Sequence, residues 1–254
     1  MTTSETRPFS LLHVDSSARP GISSRDRQGS HSRRLSQRFV ARWLTRRPGD
    51  SMIRRDVATQ PPAPVDAAWI DAAFTPEGDR SPKQAAQLTE SDALVDELLA
   101  ADLLVVGVPM YNFGVPSPLK AWIDNIVRVG RTFGFDRARQ GDPYWPLVPP
   151  TKKLVILTAR GDYGYAPGER LEAMNVVEAG LKVPLGYIGI TESHTIAVEY
   201  DEFGDERLAA SLVAAERAVD DLVDALCRNL PSDRLADRPS RSEAVRHLSR
   251  QAMT

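Results

Sequence analysis

The sequence predicts a doubly wound α/β fold, in which helices cover both faces of a five-stranded parallel sheet. Two runs, "LLVVGV" and "KLVILTA", are apolar without polar alternation, which is typical of strands covered on both faces. Strand-like runs alternate along the chain with segments whose apolar residues recur at helical spacing. The chain has 254 residues, which is enough to bury such a sheet in one domain.

The first half of the chain is predicted to contain three strands separated by helices. After the first strand, apolar residues four apart between Leu35 and Trp43 predict a helix, with Ser32 as its N-cap. "PVDAAWIDAAF" and "SPKQAAQLTESDALVDELLAA" predict two further helices before the third strand. The second strand is the least apolar and is expected at an edge of the sheet. The three strands are predicted at Phe9–Asp15, Ser51–Val57 and Asp102–Pro109.

The second half is predicted to add two strands, at Lys153–Ala159 and His194–Tyr200. Helices are predicted at "PLKAWIDNIVRVG", at Glu169–Val183 and at "DERLAASLVAAERAVDDLVDALC". These elements form one domain over residues 8–230. Residues 231–254 are polar and rich in arginine, and we expect them to be a flexible tail.

Composition predicts a cytoplasmic protein without membrane insertion. The formal net charge is −2, and no uninterrupted apolar stretch reaches the roughly 18 residues of a membrane-spanning helix. The N-terminal residues lack the pattern of a signal peptide. The single cysteine, Cys227, cannot form an intramolecular disulfide.

The N-terminal region carries an excess of positive charge, with ten arginines against two aspartates between Arg7 and Arg47. Such an excess can indicate nucleic-acid binding. However, Arg34, Arg38 and Arg42 fall on the polar face of the first predicted helix, where arginine is an ordinary solvated helix former. We therefore expect no nucleic-acid partner.

In open α/β sheets, ligands bind beyond the carboxyl ends of the strands, so the loops that follow the strands are the candidate sites. The first loop, "DSSARPGISSRDRQGSHS", places hydroxyl groups ahead of a helix N-terminus, which suits a phosphate. Arg33 offers a further positive charge. An ordinary polar loop with a serine cap is the alternative. Neither G-x-x-x-x-G-K-[ST] nor G-x-G-x-x-G occurs, which argues against a nucleoside triphosphate or dinucleotide loop.

The second loop begins "PMYNFGVPSP" and suits a planar ring. Met110 and Tyr111 can cover a face of such a ring, while the Asn112 amide can address its polar edge. Gly114 and Pro116 are expected to shape the turn. The third loop, "TARGDYGY", has glycines that let backbone approach a ligand. For each loop taken alone, aromatic anchoring or an ordinary glycine-rich turn remains an alternative.

Other chemistries find little support in the sequence. His13 and His194 fall in or at predicted strands without metal-ligand spacing, so no metal site is predicted. Ser16 and Ser17 have no G-x-S-x-G motif nearby, which argues against a hydrolase. Cys227 on the last helix is expected to pack rather than react.

Taken together, the three loops resemble those of the FMN-dependent NADH:quinone oxidoreductase and azoreductase family, which has a flavodoxin-like fold. The middle motif of that family is close to P-M-Y-N-F followed by a helix with L-K-x-x-x-D, and here Leu119, Lys120 and Asp124 occupy the helical positions. The family's G-x-T-F segment corresponds to "VGRTFGF". The resemblance runs from about Ser10 to about Val223, and it makes residues 8–230 an FMN-binding domain.

The resemblance also implies the residues of the site. The phosphate would lie at the serines of the first loop, the ring would be bordered by the second loop, and its pyrimidine edge would face the third. The substrate side would be lined by Phe135. The implied cofactor-binding residues are Ser16, Ser17, Ser30, His31, Ser32, Met110, Tyr111, Asn112, Phe113, Ala159, Arg160, Gly161 and Asp162.

The sequence departs from the family at two places. The third loop reads "ARGD" where relatives usually have S-R-G-G, so Ala159 lacks a hydroxyl donor and Asp162 adds a carboxylate. A carboxylate aimed at the ring would disfavour its reduced anion. We therefore expect the Asp162 side chain to point away, so that only its backbone faces the ring. The first loop is also longer than is typical, through "ISSRDRQG".

The resemblance implies an enzyme whose hydride chemistry takes place at N5 of FMN, without a catalytic side chain. NADH or NADPH would reduce the flavin, leave, and be replaced by a quinone or an azo compound that receives two electrons. In relatives the other subunit completes the flavin site, which implies a homodimer. Two alternatives stay open: a flavodoxin-like electron carrier and a flavin-free binding or regulatory module.

Overall fold

The fold is built on five parallel strands, in the spatial order β2-β1-β3-β6-β7. The computed structural model describes residues 8–26 and 28–230, so the predicted tail over 231–254 lies outside the described residues. Within the described part, β4 and β5 form a separate antiparallel pair. The strands are β1 (Ser10–Asp15), β2 (Ser51–Asp56), β3 (Leu103–Pro109), β4 (Phe133–Phe135), β5 (Tyr144–Pro146), β6 (Lys153–Ala159) and β7 (Glu192–Val198).

Helices cover both faces of this sheet. Leu11 and Leu12 are successive residues of β1 and enter opposite cores, because side chains alternate along a strand. One core contains residues of the first and last helices, and the other contains residues of the fourth to sixth. The α-helices are α1 (His31–Arg46), α2 (Ala67–Phe74), α3 (Pro82–Gln87), α4 (Thr89–Ala100), α5 (Ser117–Ile126), α6 (Val176–Tyr187) and α7 (Glu206–Asn229).

The predicted doubly wound, five-stranded parallel sheet is confirmed. The spatial order follows the 2-1-3-4-5 scheme of the flavodoxin-like fold, with β2 at one edge as expected. The sheet reverses its strand order next to β1 and β3, which places the ends of these two strands at the usual ligand crevice. Among the described helices, none combines the length and apolarity that crossing a membrane requires.

Several predicted boundaries were wrong. The N-cap of α1 is Ser30 rather than Ser32, because Ser30 Oγ accepts the Arg33 backbone N–H at 3.2 Å. The predicted helix from Ser81 onward is two helices, α3 and α4, that meet at the fully buried Leu88. The helix predicted from Glu169 begins only at Val176, and β7 begins two residues earlier than predicted.

The arginines on the outer face of α1 are paired rather than simply solvated, which corrects the sequence-based interpretation. Arg34, Arg38 and Arg42 contact Glu216, Asp220 and Asp224 of α7, with N–O distances of 2.7, 2.7 and 2.8 Å. Hydrogen bonds from Arg46 and Arg42 lower the pKa of Asp224 to about 2. The last helix therefore offsets the charge of four arginines of α1, which is part of the excess positive charge of the N-terminal region.

Gly107 of β3 leaves space for a buried polar pair. It lies opposite Asp15 of β1, and the Ser36 hydroxyl of α1 donates to Asp15 Oδ1 at 2.8 Å. A Cβ atom at position 107 would lie 2.7 Å from Asp15 Oδ1 and 2.9 Å from Ser36 Oγ. Any side chain here would displace a fully buried carboxylate directly below the first loop.

We expect Gly107→Ala to destabilise the protein by about 1–3 kcal/mol, because the added methyl group overpacks a closed site. The matched control is Gly78→Ala, where nothing lies within 4 Å of the added Cβ. Urea unfolding of both variants measures the difference. Equal stability of the two variants would contradict the assignment of Gly107 to this close contact.

Candidate functional site

Three loops meet at the carboxyl ends of the central strands, and hydrogen bonds join them. The first loop spans residues 16–30, the second 110–116 and the third 160–175. The Ala18 N–H donates to Tyr111 Oη at 3.2 Å, which joins the first loop to the second. The Met110 N–H donates to the carbonyl of Ala159 at 2.8 Å, which joins the second loop to the end of β6. The predicted convergence of these loops is therefore present.

The first loop folds back on itself and returns its serines to the start of α1. The Ser30 N–H donates to the carbonyl of Gly21 at 2.8 Å, and the Oγ atoms of Ser30 and Ser32 lie 3.0 Å apart. Ser16 Oγ donates to the carbonyl of Gly107 at 3.0 Å. The serine side chains predicted for this loop (Ser16, Ser17, Ser30 and Ser32) are all buried.

Arg33 has an internal role, unlike the free positive charge suggested by the sequence. Its guanidinium donates to both carboxylate oxygens of Asp56, at 2.6 and 2.9 Å, and to the carbonyl of Ser17 at 2.7 Å. It also lies 3.4 Å from Asp15. Arg33 is fully buried. Its contacts join α1, β1, β2 and the first loop beneath the site.

Asp15 stays ionised inside this network. Burial raises the pKa of Asp15, but the neighbouring His13, the hydrogen bond from Ser36 and the charge of Arg33 outweigh burial, so the pKa is lowered. The His13 Nε2 atom is 3.3 Å from Asp15 Oδ1. His13 is thus part of the buried network, in the centre of β1.

The second loop is a tight turn with two non-glycine residues in the left-handed region. Tyr111 and Gly114 exchange backbone hydrogen bonds at 3.0 and 3.1 Å, and the residues between them, Asn112 and Phe113, have φ values of 47° and 70°. Positive φ at both central residues defines a type I′ turn. The unusual dihedrals thus lie at Asn112 and Phe113 rather than at Gly114. Such strain is costly for an aromatic residue and tends to occur at ligand sites.

This turn presents aromatic side chains to the surface. Tyr111 and Phe113 are 38% and 41% exposed, which is unusual for two aromatic residues beside a fully buried strand. Met110 is only partly buried and packs against the core under the turn. The arrangement leaves apolar area available to cover a planar ligand.

In the third loop, Arg160 faces into the protein. Its guanidinium contacts Glu178 at 2.6 Å and Glu199 at 3.1 Å and lies over the Tyr165 ring. A Cβ at Gly161 would be 2.4 Å from Glu202 Oε1, so any side chain there would require the exposed Glu202 side chain to move. The loop can therefore offer a ligand its backbone groups, while the Arg160 side chain is held internally.

The Asp162 carboxylate forms an ion pair with Arg170 in the same loop. It contacts Arg170 Nη2 at 2.6 Å and accepts the Tyr163 backbone N–H at 2.8 Å. The hydrogen bond from Arg170 lowers the pKa of Asp162. Whether this carboxylate turns away from a bound ring stays a prediction, but its charge is compensated within the loop.

Two carboxylates that follow β7 were missed by the sequence analysis. Glu199 accepts the backbone N–H groups of Gly164 and Tyr165, at 3.1 and 3.3 Å, and so shapes the third loop. Asp201 lies 3.0 Å from His31 Nε2, at the start of α1. The polar stretch "EYDEFG" at the end of a parallel strand was the available signal, because every strand end on this edge is a candidate.

Phe135 belongs to an aromatic cluster outside the three loops. Its ring stacks on Tyr144 across the β4–β5 pair, with centroids 4.7 Å apart. Phe133 and Tyr144 also contact Tyr187 of α6, at 5.1 and 6.0 Å. This hairpin was not predicted from the sequence.

The remaining reactive side chains form no further centre. In the described residues, no group of three or more His, Cys, Asp or Glu side chains could hold a metal ion. Cys227 is half-buried on α7, and burial raises the pKa of its thiol, which favours the protonated form. This agrees with the expected packing role.

Comparison with known proteins agrees with this geometry. A family profile described as "Flavodoxin-like fold" matches residues 11–223. "FMN-dependent NADH:quinone oxidoreductase 2" of Colwellia psychrerythraea is 39% identical over 215 residues, covering 85% of this chain and 98% of the relative. "FMN-dependent NAD(P)H:quinone oxidoreductase 1" of Pseudomonas aeruginosa is 43% identical over 189 residues, covering 74% and 89%.

Solved structures agree on the fold. An FMN-dependent NADH-azoreductase from Bacillus anthracis str. Ames Ancestor, in complex with FMN, superimposes with a TM-score of 0.73 at 16% identity. The superposition covers 86% of this chain and 99% of that structure. The convergent loops, the strand order and the two sequence relatives lead to one conclusion: the chain belongs to the flavodoxin-like fold family and, within it, to the FMN-dependent NADH:quinone oxidoreductases.

Proposed function

We propose that this protein is an FMN-dependent oxidoreductase that transfers two electrons from NADH or NADPH to a quinone or an aromatic azo compound, in the cytoplasm. The observation that carries the proposal is the hydrogen-bonded convergence of three strand-end loops, each with a different character. The first loop is rich in hydroxyl groups, the second carries aromatic side chains, and the third offers backbone hydrogen-bonding groups. An FMN molecule needs these three environments for its phosphate, its ring faces and its pyrimidine edge.

The first loop fits a phosphate group. Ser30 Oγ accepts the Arg33 N–H and can also accept the hydroxyl hydrogen of Ser32, which leaves the hydrogen of Ser30 available to an anion. Nδ1 of His31 is buried without a partner among the described residues, at the first position of α1. The N-terminus of this 16-residue helix favours negative charge.

The second and third loops fit the ring. Tyr111 and Phe113 supply apolar area at the end of β3, and the backbone after Ala159 supplies hydrogen-bonding groups. The Arg170 guanidinium compensates the Asp162 carboxylate, so the third loop adds no unpaired negative charge. When bound, FMN supplies the hydride and two-electron chemistry, and the protein supplies position and electrostatics.

Donor and acceptor would use the same place in turn, which is a ping-pong scheme. The protein's part is to hold a planar pocket that is open on one side. The resemblance assigns Phe135 to the substrate side of that pocket, and in this chain its ring stacks on Tyr144 in the β4–β5 pair, outside the three loops. No side chain is needed as a nucleophile. This scheme distinguishes the enzyme from an electron carrier, which would reduce a protein partner instead.

We expect the purified protein to be yellow, to release FMN on denaturation at about one per chain, and to oxidise NADH steadily with a simple quinone. Double-reciprocal plots at several quinone concentrations should be parallel, as a ping-pong scheme requires. Bound FMN without turnover would favour the electron carrier. A colourless protein that refuses added FMN would favour the flavin-free module and overturn the proposal.

A second test addresses the phosphate site. Ser30→Ala should raise the dissociation constant of FMN about ten- to a hundredfold, because a hydrogen bond to a charged group is lost. Ser81→Ala is the matched control, since Ser81 is also an N-cap but of α3. Both variants should lose about 1 kcal/mol of stability. Equal FMN affinity in the two variants, measured by fluorescence titration, would count against the phosphate assignment.

We further propose that the protein is a homodimer formed through α6. An exposed apolar stripe on this helix, at spacings of seven and four residues, consists of Val176, Val183 and Tyr187. The Val176 N–H donates to the carbonyl of Phe113 at 3.0 Å, so the stripe is continuous with the second loop. An apolar surface next to the ring site supports a partner subunit that completes it.

Val183→Glu should convert the dimer to a monomer in light scattering, because Val183 is 69% exposed and a charge there would be buried in the interface. Val213→Glu is the control, since Val213 is 61% exposed on α7 at the opposite face of the sheet. A wild-type monomer, or a Val183→Glu dimer, would exclude this surface.

A further inference from the structure

The loop after β7 reaches across the site to the first residue of α1. Asp201 Oδ1 lies 3.0 Å from His31 Nε2, and Asp201 Oδ2 lies 3.4 Å from Arg19 Nη1 of the first loop. Two parts of the chain far apart in sequence are therefore joined at the N-terminus of α1. None of the three predicted loops contains Asp201.

Backbone geometry fixes Asp201 in this position. The residue before it, Tyr200, has a φ of 70°, which is uncommon for an aromatic residue and turns the chain sharply. The Asp201 N–H then donates to the carbonyl of Arg160 at 3.2 Å. Strain of this kind persists where the surroundings impose it, and it is frequent at ligand sites.

His31 is left with one nitrogen to use. Nε2 faces Asp201, whereas Nδ1 is buried and has no partner among the described residues. A neutral imidazole that donates from Nε2 to a carboxylate has only a lone pair at Nδ1. A phosphate is an acceptor, so Nδ1 can bind it only when the ring is protonated on both nitrogens.

We propose that Asp201 is a positioning residue: its carboxylate faces His31 Nε2, orients the imidazole so that Nδ1 is directed at the FMN phosphate, and supplies a counter-charge to the ring when Nδ1 donates to that phosphate. The proposal rests on the proposed function and deepens its phosphate site. The same contact affects the carboxylate, since the hydrogen bond from His31 lowers the pKa of Asp201. Arg19 adds positive charge beside this pair.

Riboflavin separates this role from a merely structural one, because it has the ring of FMN without the phosphate. We would titrate apo-protein with FMN and with riboflavin, following flavin fluorescence. Asp201→Asn should raise the FMN dissociation constant about tenfold, since a charge-assisted hydrogen bond is weakened. Riboflavin affinity should change less than about twofold, since no phosphate contact is involved.

The matched control is Asp205→Asn. Asp205 lies in the same connection, is the N-cap of α7 and pairs with Arg207 rather than with His31. It should bind both flavins as the wild type does. An unchanged FMN affinity in Asp201→Asn, or an equal loss for both flavins, would overturn the role of Asp201 while leaving the proposed function intact. A wild-type protein that binds neither flavin would overturn both.

Discussion

The buried ion network around Arg33 is the constraint on which the site depends. One guanidinium joins Asp56 at the end of β2, Asp15 at the end of β1 and the carbonyl of Ser17 in the first loop. A buried arginine is stable only when carboxylates compensate its charge. If the first loop moved away, the Arg33 guanidinium would lose the carbonyl of Ser17 as a hydrogen-bond acceptor. The absence of a side chain at Gly107 leaves the space in which Asp15 sits.

The other two loops follow the same logic by different means. The second loop gains its shape from backbone strain at Asn112 and Phe113, which the paired hydrogen bonds of Tyr111 and Gly114 maintain. The third loop is held by a residue outside it, because Glu199, which follows β7, accepts its backbone N–H groups and pairs with Arg160. Each loop therefore has internal contacts that hold its shape without a ligand, and preorganisation of this kind lowers the cost of binding.

Much of the fold and part of the site could be predicted from the sequence. Apolar runs predicted the buried strands, because burial on both faces removes polar alternation. The stretch "PMYNF" predicted the aromatic turn. The choice of Ser30 over Ser32 as N-cap could not be predicted, because both serines cap equally well and a contact with Gly21 decides. Asp201 has no motif, and its role depends on a helix 170 residues earlier in the chain. Likewise, the β4–β5 hairpin depends on packing against Tyr187.

The ion pairs between α1 and α7 also constrain how the protein is made. Each of the three pairs joins residues 182 positions apart, so the two helices run in the same direction and lie side by side. During synthesis the first helix leaves the ribosome long before its acidic partner exists. Until then the arginines of α1 have no acidic partners and its apolar face is not packed against α7. The last helix therefore completes the fold. Contacts between residues so far apart in sequence slow this final step of folding.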